Sequence, residues 1–198
     1  MLHFIDIKPR PRVVFEVGCG NLNETRSFYL WKDSTIDFFL FEPNKNFYHE
    51  LMRAGGRFRN VHLFNCAILD KEDELELVDH GSCGYLKNFP GAPIVNNIGY
   101  PPPDLDIIYN VKVFPINIFD MGNIDVLYID TEGTEYFVLK TLISQPSVIN
   151  IEMEVDGNKN PHYDEIMQWM QMNRYMFGGK CGNDFIWHKT GITVLQTG

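Results

Sequence analysis

Positive charge is scarce in this chain: 17 lysines and arginines stand against 26 aspartates and glutamates, for a formal net charge of −9 at pH 7. Binding driven by counterion release needs clustered Lys and Arg. A protein that tracks nucleic acid or an anionic membrane is therefore not expected. Long apolar runs are missing too. None approaches the ~20 residues that a membrane span requires. The opening MLHFIDIKPRPRVV is too polar, and too broken by proline, for a signal peptide. The four cysteines, Cys19, Cys66, Cys83 and Cys181, include no C-x-x-C pair, whereas zinc wants closer ligand pairs. These absences predict a reduced, cytoplasmic protein without a structural zinc. Repeats and low-complexity segments are also lacking, and 198 residues suffice for a single domain with a full core.

What is present is a succession of buried strands, each ending in residues that carry chemistry. Residues 13–17 (VVFEV) read as a strand that runs straight into Gly18, Cys19, Gly20 and Asn21. Glycine lets the backbone turn sharply and approach a ligand closely, and a helix over residues 23–31 would aim its N–H groups into the same space. A dinucleotide fingerprint would place a third glycine where Asn23 stands. Its absence turns the expectation from a pyrophosphate towards a smaller ligand with an amino-acid tail. Glu16, inside the strand, is a candidate anchor for the turn and for a ligand ammonium. Residues 36–41 (IDFFLF) form a second strand ending in Glu42-Pro43-Asn44, with Asn44 positioned to cap a helix over 45–53. An acid at that strand end, ~20 residues past the glycine turn, is placed to accept both hydroxyls of a ribose. A third strand, 61–67, ends in the small residues Cys66 and Ala67, which leave a slot for an adenine against Ile68.

The segment 124–142, IDVLYIDTEGTEYFVLKTL, organises the rest. Its first half reads as a strand buried on both faces. Its second half takes helical spacing, with Glu132 and Glu135 in the expected first turn. Between them stands D-T-E-G, residues 130–133. Desolvating a carboxylate is costly, and open α/β sheets bind ligands beyond the carboxyl ends of their strands. Asp130 and Glu132 are therefore candidate site residues. In the next strand, 148–155, period 2 puts Glu152 and Glu154 on one face, and Glu152 joins the catalytic candidates. Residues 88–110 lack periodicity and read as a substrate-side loop, to which Tyr85, Phe89 and Tyr100 would add aromatic contacts. An amphipathic helix over Tyr163–Met172 and a hairpin of 175–177 with 185–187 close the pattern.

Strands alternating with helices predict an α/β fold: a single doubly wound, Rossmann-like sheet, mostly parallel, with an antiparallel C-terminal hairpin. In VVFEVGCGN, FLFEPN, NVHLFNCAILDKEDELEL and above all IDVLYIDTEGTEYFVLKTL, the chain resembles the FkbM-type S-adenosylmethionine-dependent methyltransferases over about residues 13–187. Tyr128 stands where that family usually has Lys, and Glu16 where Asp is commoner. The resemblance implies a class I methyltransferase strand order of 3-2-1-4-5-7-6. It also implies S-adenosylmethionine as cofactor and O-methyl transfer to a small hydroxyl-bearing acceptor such as a sugar or polyketide. The expected cofactor residues are Glu16, Gly18, Cys19, Gly20, Asn21, Glu42, Pro43, Cys66, Ala67, Ile68 and Asp130. The expected catalytic set is Asp130, with Glu132 and Glu152 next. A divalent metal held by these acids is an alternative to a carboxylate base. Two other readings stay open: a module that binds the cofactor without turnover, and a nicotinamide oxidoreductase.

Overall fold

The computed structural model describes residues 7–79, 84–87, 107–155 and 157–194. Seven strands form the central sheet: β1 (Val13–Val17), β2 (Asp37–Phe41), β3 (Val61–Phe64), β4 (Val126–Ile129), β5 (Val148–Glu152), β6 (Met176–Cys181) and β7 (Asp184–His188). Their order is 3-2-1-4-5-7-6. β1 to β5 pair in parallel, and β7 runs antiparallel to both β5 and β6. The sheet is thus the expected doubly wound α/β arrangement with an antiparallel closing hairpin.

Period-2 alternation splits the strands between two cores. Phe15, Val17, Leu127, Ile129, Ile149 and Ile151 enter one cluster, while Val14, Phe38, Leu40, Val126, Tyr128 and Val148 enter the other. Each such side chain contributes roughly 1.5–3 kcal/mol when fully buried, which is why these strands read as continuous apolar runs. Helices are few among the described residues: α1 (Lys45–Gly55), α2 (Glu135–Lys140) and α3 (Tyr163–Met172). The Asn44 side chain caps α1 by accepting from Asn46 N, and Ile166 and Met170 bury the inner face of α3.

Five expectations need correction. No α-helix follows the glycine turn; residues 21–33 form successive turns and one short 3-10 segment, Phe28–Leu30. Side chains take the place of the helical ladder there. Glu16 accepts from the amides of Arg26 and Ser27, and the Thr25 hydroxyl donates to the Cys19 and Asn21 carbonyls. The third strand stops at Phe64. Ala67–Leu69 leaves it for a second, four-stranded sheet with Asp73–Asp79, Tyr85–Leu86 and Ile107–Pro115. Ile107–Asn110 of the predicted loop belong to that last strand, paired antiparallel with Glu76–Asp79, and the remainder of the loop, with Phe89 and Tyr100, lies outside the described residues. Period 2 holds through buried Met153, which joins Ile149 and Ile151 in one core cluster, but β5 ends at Glu152, and Glu154 does not follow it into the cavity. It joins a two-stranded ribbon, Glu154–Val155 with Asn158–Lys159, and is bridged to Lys180. Finally, Glu132 is not in a helical first turn. Its φ is 56°, and α2 begins after Thr134.

No helix among the described residues is long and apolar enough to cross a membrane.

Candidate active site

A cavity of about 330 Å³ opens at the carboxyl ends of β1, β2, β4 and β5, with one wall lent by the second sheet. That is a volume for a small ligand. β1 delivers Gly18, Cys19 and Gly20 to its floor, and β2 delivers Glu42, Pro43 and Asn44. Cys66, Ala67 and Ile68 follow β3. Asp130, Thr131 and Glu132 follow β4, and Glu152 ends β5. Glu16 and Asn21 of the predicted set do not line the cavity.

Three buried carboxylates clamp the loops that shape it. Glu16 is fully buried, and its two oxygens take the Arg26 and Ser27 amides at 2.6 and 3.1 Å. It anchors the turn from beneath, and both oxygens are engaged by the backbone, away from a ligand ammonium. Burial raises its pKa against the opposing pull of Arg26 and these hydrogen bonds. Glu42 holds Gly20 N with Oε2 and Asn44 N with Oε1, each at 2.7 Å, so it ties the glycine loop to the start of α1. Burial lifts it to about 8, although both amides favour the ionised form. Glu135 takes the amides of Thr131 and Gly133 with Oε1 and the Asn160 side chain with Oε2. This holds the D-T-E-G turn in shape, with Glu132 and Gly133 both at positive φ.

Gly18 owes its identity to the fold. At φ +78° a Cβ would stand 1.7 Å from the Asp130 carbonyl oxygen. Glycine is needed so that the β1 and β4 ends can meet, before any ligand is considered.

The cavity divides by chemistry. On the β2–β3 side, Phe41, Phe47, Cys66, Ala67, Ile68, Leu77 and Leu86 form an apolar slot beside Glu42. Burial pushes the Cys66 thiol up to about 12, so it behaves there as a small neutral group. On the β4–β5 side stands a carboxylate wall. One oxygen each of Asp130, Glu132 and Glu152 lies within 4.8 Å of the others. Burial first, then the neighbouring Asp130, raises Glu132 to about 8 and Glu152 to about 10.

Arg26 crosses this wall. Its Nη2 bonds Asp130 Oδ2 at 3.0 Å, and the guanidinium also meets both oxygens of Asp184, the closest at 2.9 Å. Burial disfavours its charge, but Asp130, Asp184 and Glu16 outweigh that. The sequence reading missed Arg26, Asp184, Glu24 and Asn183. Arg26 falls within residues 23–31, for which the sequence predicts a helix, and nothing there marks it as a partner of Asp130. Asp184 and Asn183 come from the hairpin more than 150 residues later, which only tertiary folding brings near.

Among solved structures, the precorrin-6y C5,15-methyltransferase of Geobacter metallireducens resembles the chain at 13% identity, covering 94% of this chain and 81% of that one, with a TM-score of 0.44. An S-adenosylmethionine-dependent methyltransferase of Aquifex aeolicus gives 13%, 92%, 82% and 0.44. The fibrillarin of Aeropyrum pernix, solved with natively bound S-adenosyl-L-methionine, gives 9%, 93%, 66% and 0.47. At these scores the likenesses carry no argument about the site. No curated protein matches the chain. The methyltransferase FkbM domain, however, matches residues 12–182, and the chain belongs to that family.

Proposed function

We propose that the cavity binds S-adenosylmethionine and that the protein transfers its methyl group to a hydroxyl of a small, uncharged acceptor. The division of one cavity into an apolar slot beside Glu42 and a carboxylate wall carries this reading. The residues present fit the cofactor. The slot at Cys66, Ala67 and Ile68 suits an adenine. Each Glu42 oxygen accepts one backbone amide and keeps a lone pair for a ribose hydroxyl. Asp130 and the acids around it suit a sulfonium and an ammonium.

When bound, S-adenosylmethionine supplies a methyl group already activated by its sulfonium. The chain then has to align the acceptor, exclude water and receive one proton. Asp130 was the first candidate for that proton. Its carboxylate already engages Arg26, so in this reading it is a ligand-holding group. Glu152 and Glu132 have no such cationic partner among the described residues; a sulfonium bound beside them would favour their ionised forms, and their raised pKa values then make them the stronger proton acceptors. The carboxylate wall also favours a neutral acceptor over an anionic one, by simple repulsion.

The test is transfer of a labelled methyl group to a panel of neutral sugars and polyketide-like alcohols, with carboxylated analogues as controls. The reading expects turnover on neutral hydroxyls and a fall of ~10²–10⁴-fold in Glu152→Gln. Full turnover in that variant sets aside its role, and cofactor binding without transfer to any alcohol sets aside the reaction.

A further inference from the structure

We infer that Asp130, Glu132 and Glu152 form a site for a divalent cation of the Mg²⁺ or Mn²⁺ type. Two independent observations meet there. The first is geometric: one oxygen from each residue lies within 4.8 Å of the others. Oxygens around an octahedral Mg²⁺ stand about 3–4 Å apart, given bonds of ~2.0–2.1 Å. A modest inward movement of three side chains closes that gap, and two of the three come from strand ends that a ligand can approach.

The second is an unmet bond. Glu152 is only 7% exposed, and its Oε2 is buried without a hydrogen-bond partner. Its other oxygen receives a long bond of 3.4 Å from Asn183 Nδ2. Buried carboxylate oxygens are rarely left in this state, because desolvation without a partner is costly. The hydroxyl of Thr131, a residue that lines the cavity, is likewise buried without a hydrogen-bond partner.

Charge points the same way. Arg26 is the one Lys or Arg among the described residues lining the cavity, and Asp130 and Asp184 already share it. With Glu132 and Glu152 counted, four carboxylates face one guanidinium. Arg26 engages Asp130 through Oδ2, which leaves the second oxygen to turn inward. A hard dication with oxygen ligands meets the geometry, the unmet bond and the charge together. Its use in catalysis, to orient an acceptor hydroxyl and make its proton easier to lose, rests on the methyltransferase reading. The binding site does not.

The experiment uses the full chain, stripped with chelator and titrated with Mn²⁺ while free Mn²⁺ is followed by electron paramagnetic resonance. Binding of S-adenosylhomocysteine is measured in parallel by calorimetry. The inference expects one saturable Mn²⁺ per chain, displaced by Mg²⁺, with affinity at least about tenfold weaker in Glu152→Gln and in Glu132→Gln. If the Glu152 variant fails to fold, the half-buried Glu132 carries the test. No saturable binding to folded wild type, or equal binding in both variants, overturns the inference; the three acids would then share protons among themselves. Mn²⁺ binding without S-adenosylhomocysteine binding supports the cation site and counts against the methyltransferase reading. The reverse result does the opposite.

Discussion

Gly18 and Glu42 show how single residues that line the cavity also hold the fold together. Because a Cβ at Gly18 would meet the Asp130 carbonyl at 1.7 Å and φ is +78°, Gly18→Ala should destabilise the protein by at least about 2–3 kcal/mol. Denaturant unfolding measures this directly, and a variant as stable as wild type would show that the two strand ends can part freely. Glu42 sets a pH dependence. Burial raises its folded pKa to about 8 from an ordinary value of 4.5. The folded state therefore holds that proton more tightly than the unfolded chain. The resulting stability is fully present below about pH 4.5 and is lost as pH rises through about 8. Buried Glu16 shifts in the same direction. Thermal midpoints should thus decline from pH 5 to pH 8, and the decline should be shallower in Glu42→Gln. Equal slopes would mean that the carboxylate is ionised throughout. Sequence located Glu42, Asp130 and Glu152 because each stands at the end of an apolar strand. It missed the Arg26 clasp because salt bridges between distant segments leave no local pattern.

At the scale of elements, strands were legible and turns were not. β1, β2, β4 and β5 are buried on both faces, and their apolar runs announce them. Residues 21–33 contain enough apolar side chains to suggest a helix. Yet a buried glutamate and a threonine hydroxyl capture the amides and carbonyls that a helical ladder would need. The break at Phe64 was equally hidden, since both halves of that run are apolar and only tertiary pairing assigns them to different sheets. The D-T-E-G turn depends on Glu135 in the way the earlier turn depends on Glu16. Glu135→Ala would orphan the amides of Thr131 and Gly133 and the Asn160 side chain, at about 1–3 kcal/mol for each buried donor. Hydrogen exchange at Thr131 and Gly133 should accelerate well beyond that at β4. Unchanged protection at both amides would mean that the turn holds without its clamp.

For the molecule as a whole, the seven-stranded sheet places two kinds of chemistry on either side of the β1 end. The apolar slot and Glu42 lie towards β3, and the carboxylate wall lies towards β5. The strand order and the family agree with what the resemblance carried by the D-T-E-G segment and the glycine turn implies. The acceptor was not legible in the sequence, because the cavity lining is gathered from the hairpin, the second sheet and the turn after β4, segments far apart in the chain. The most direct test of the account is calorimetric titration of the folded chain with S-adenosylhomocysteine, and with NADH as the contrasting ligand, in wild type and in Glu42→Gln. The account predicts one site for S-adenosylhomocysteine, none for NADH, and binding weaker by about 1–3 kcal/mol when one Glu42 oxygen becomes an amide nitrogen that cannot accept from the ribose. No binding of S-adenosylhomocysteine to folded wild type, or equal affinity in the variant, would contradict it.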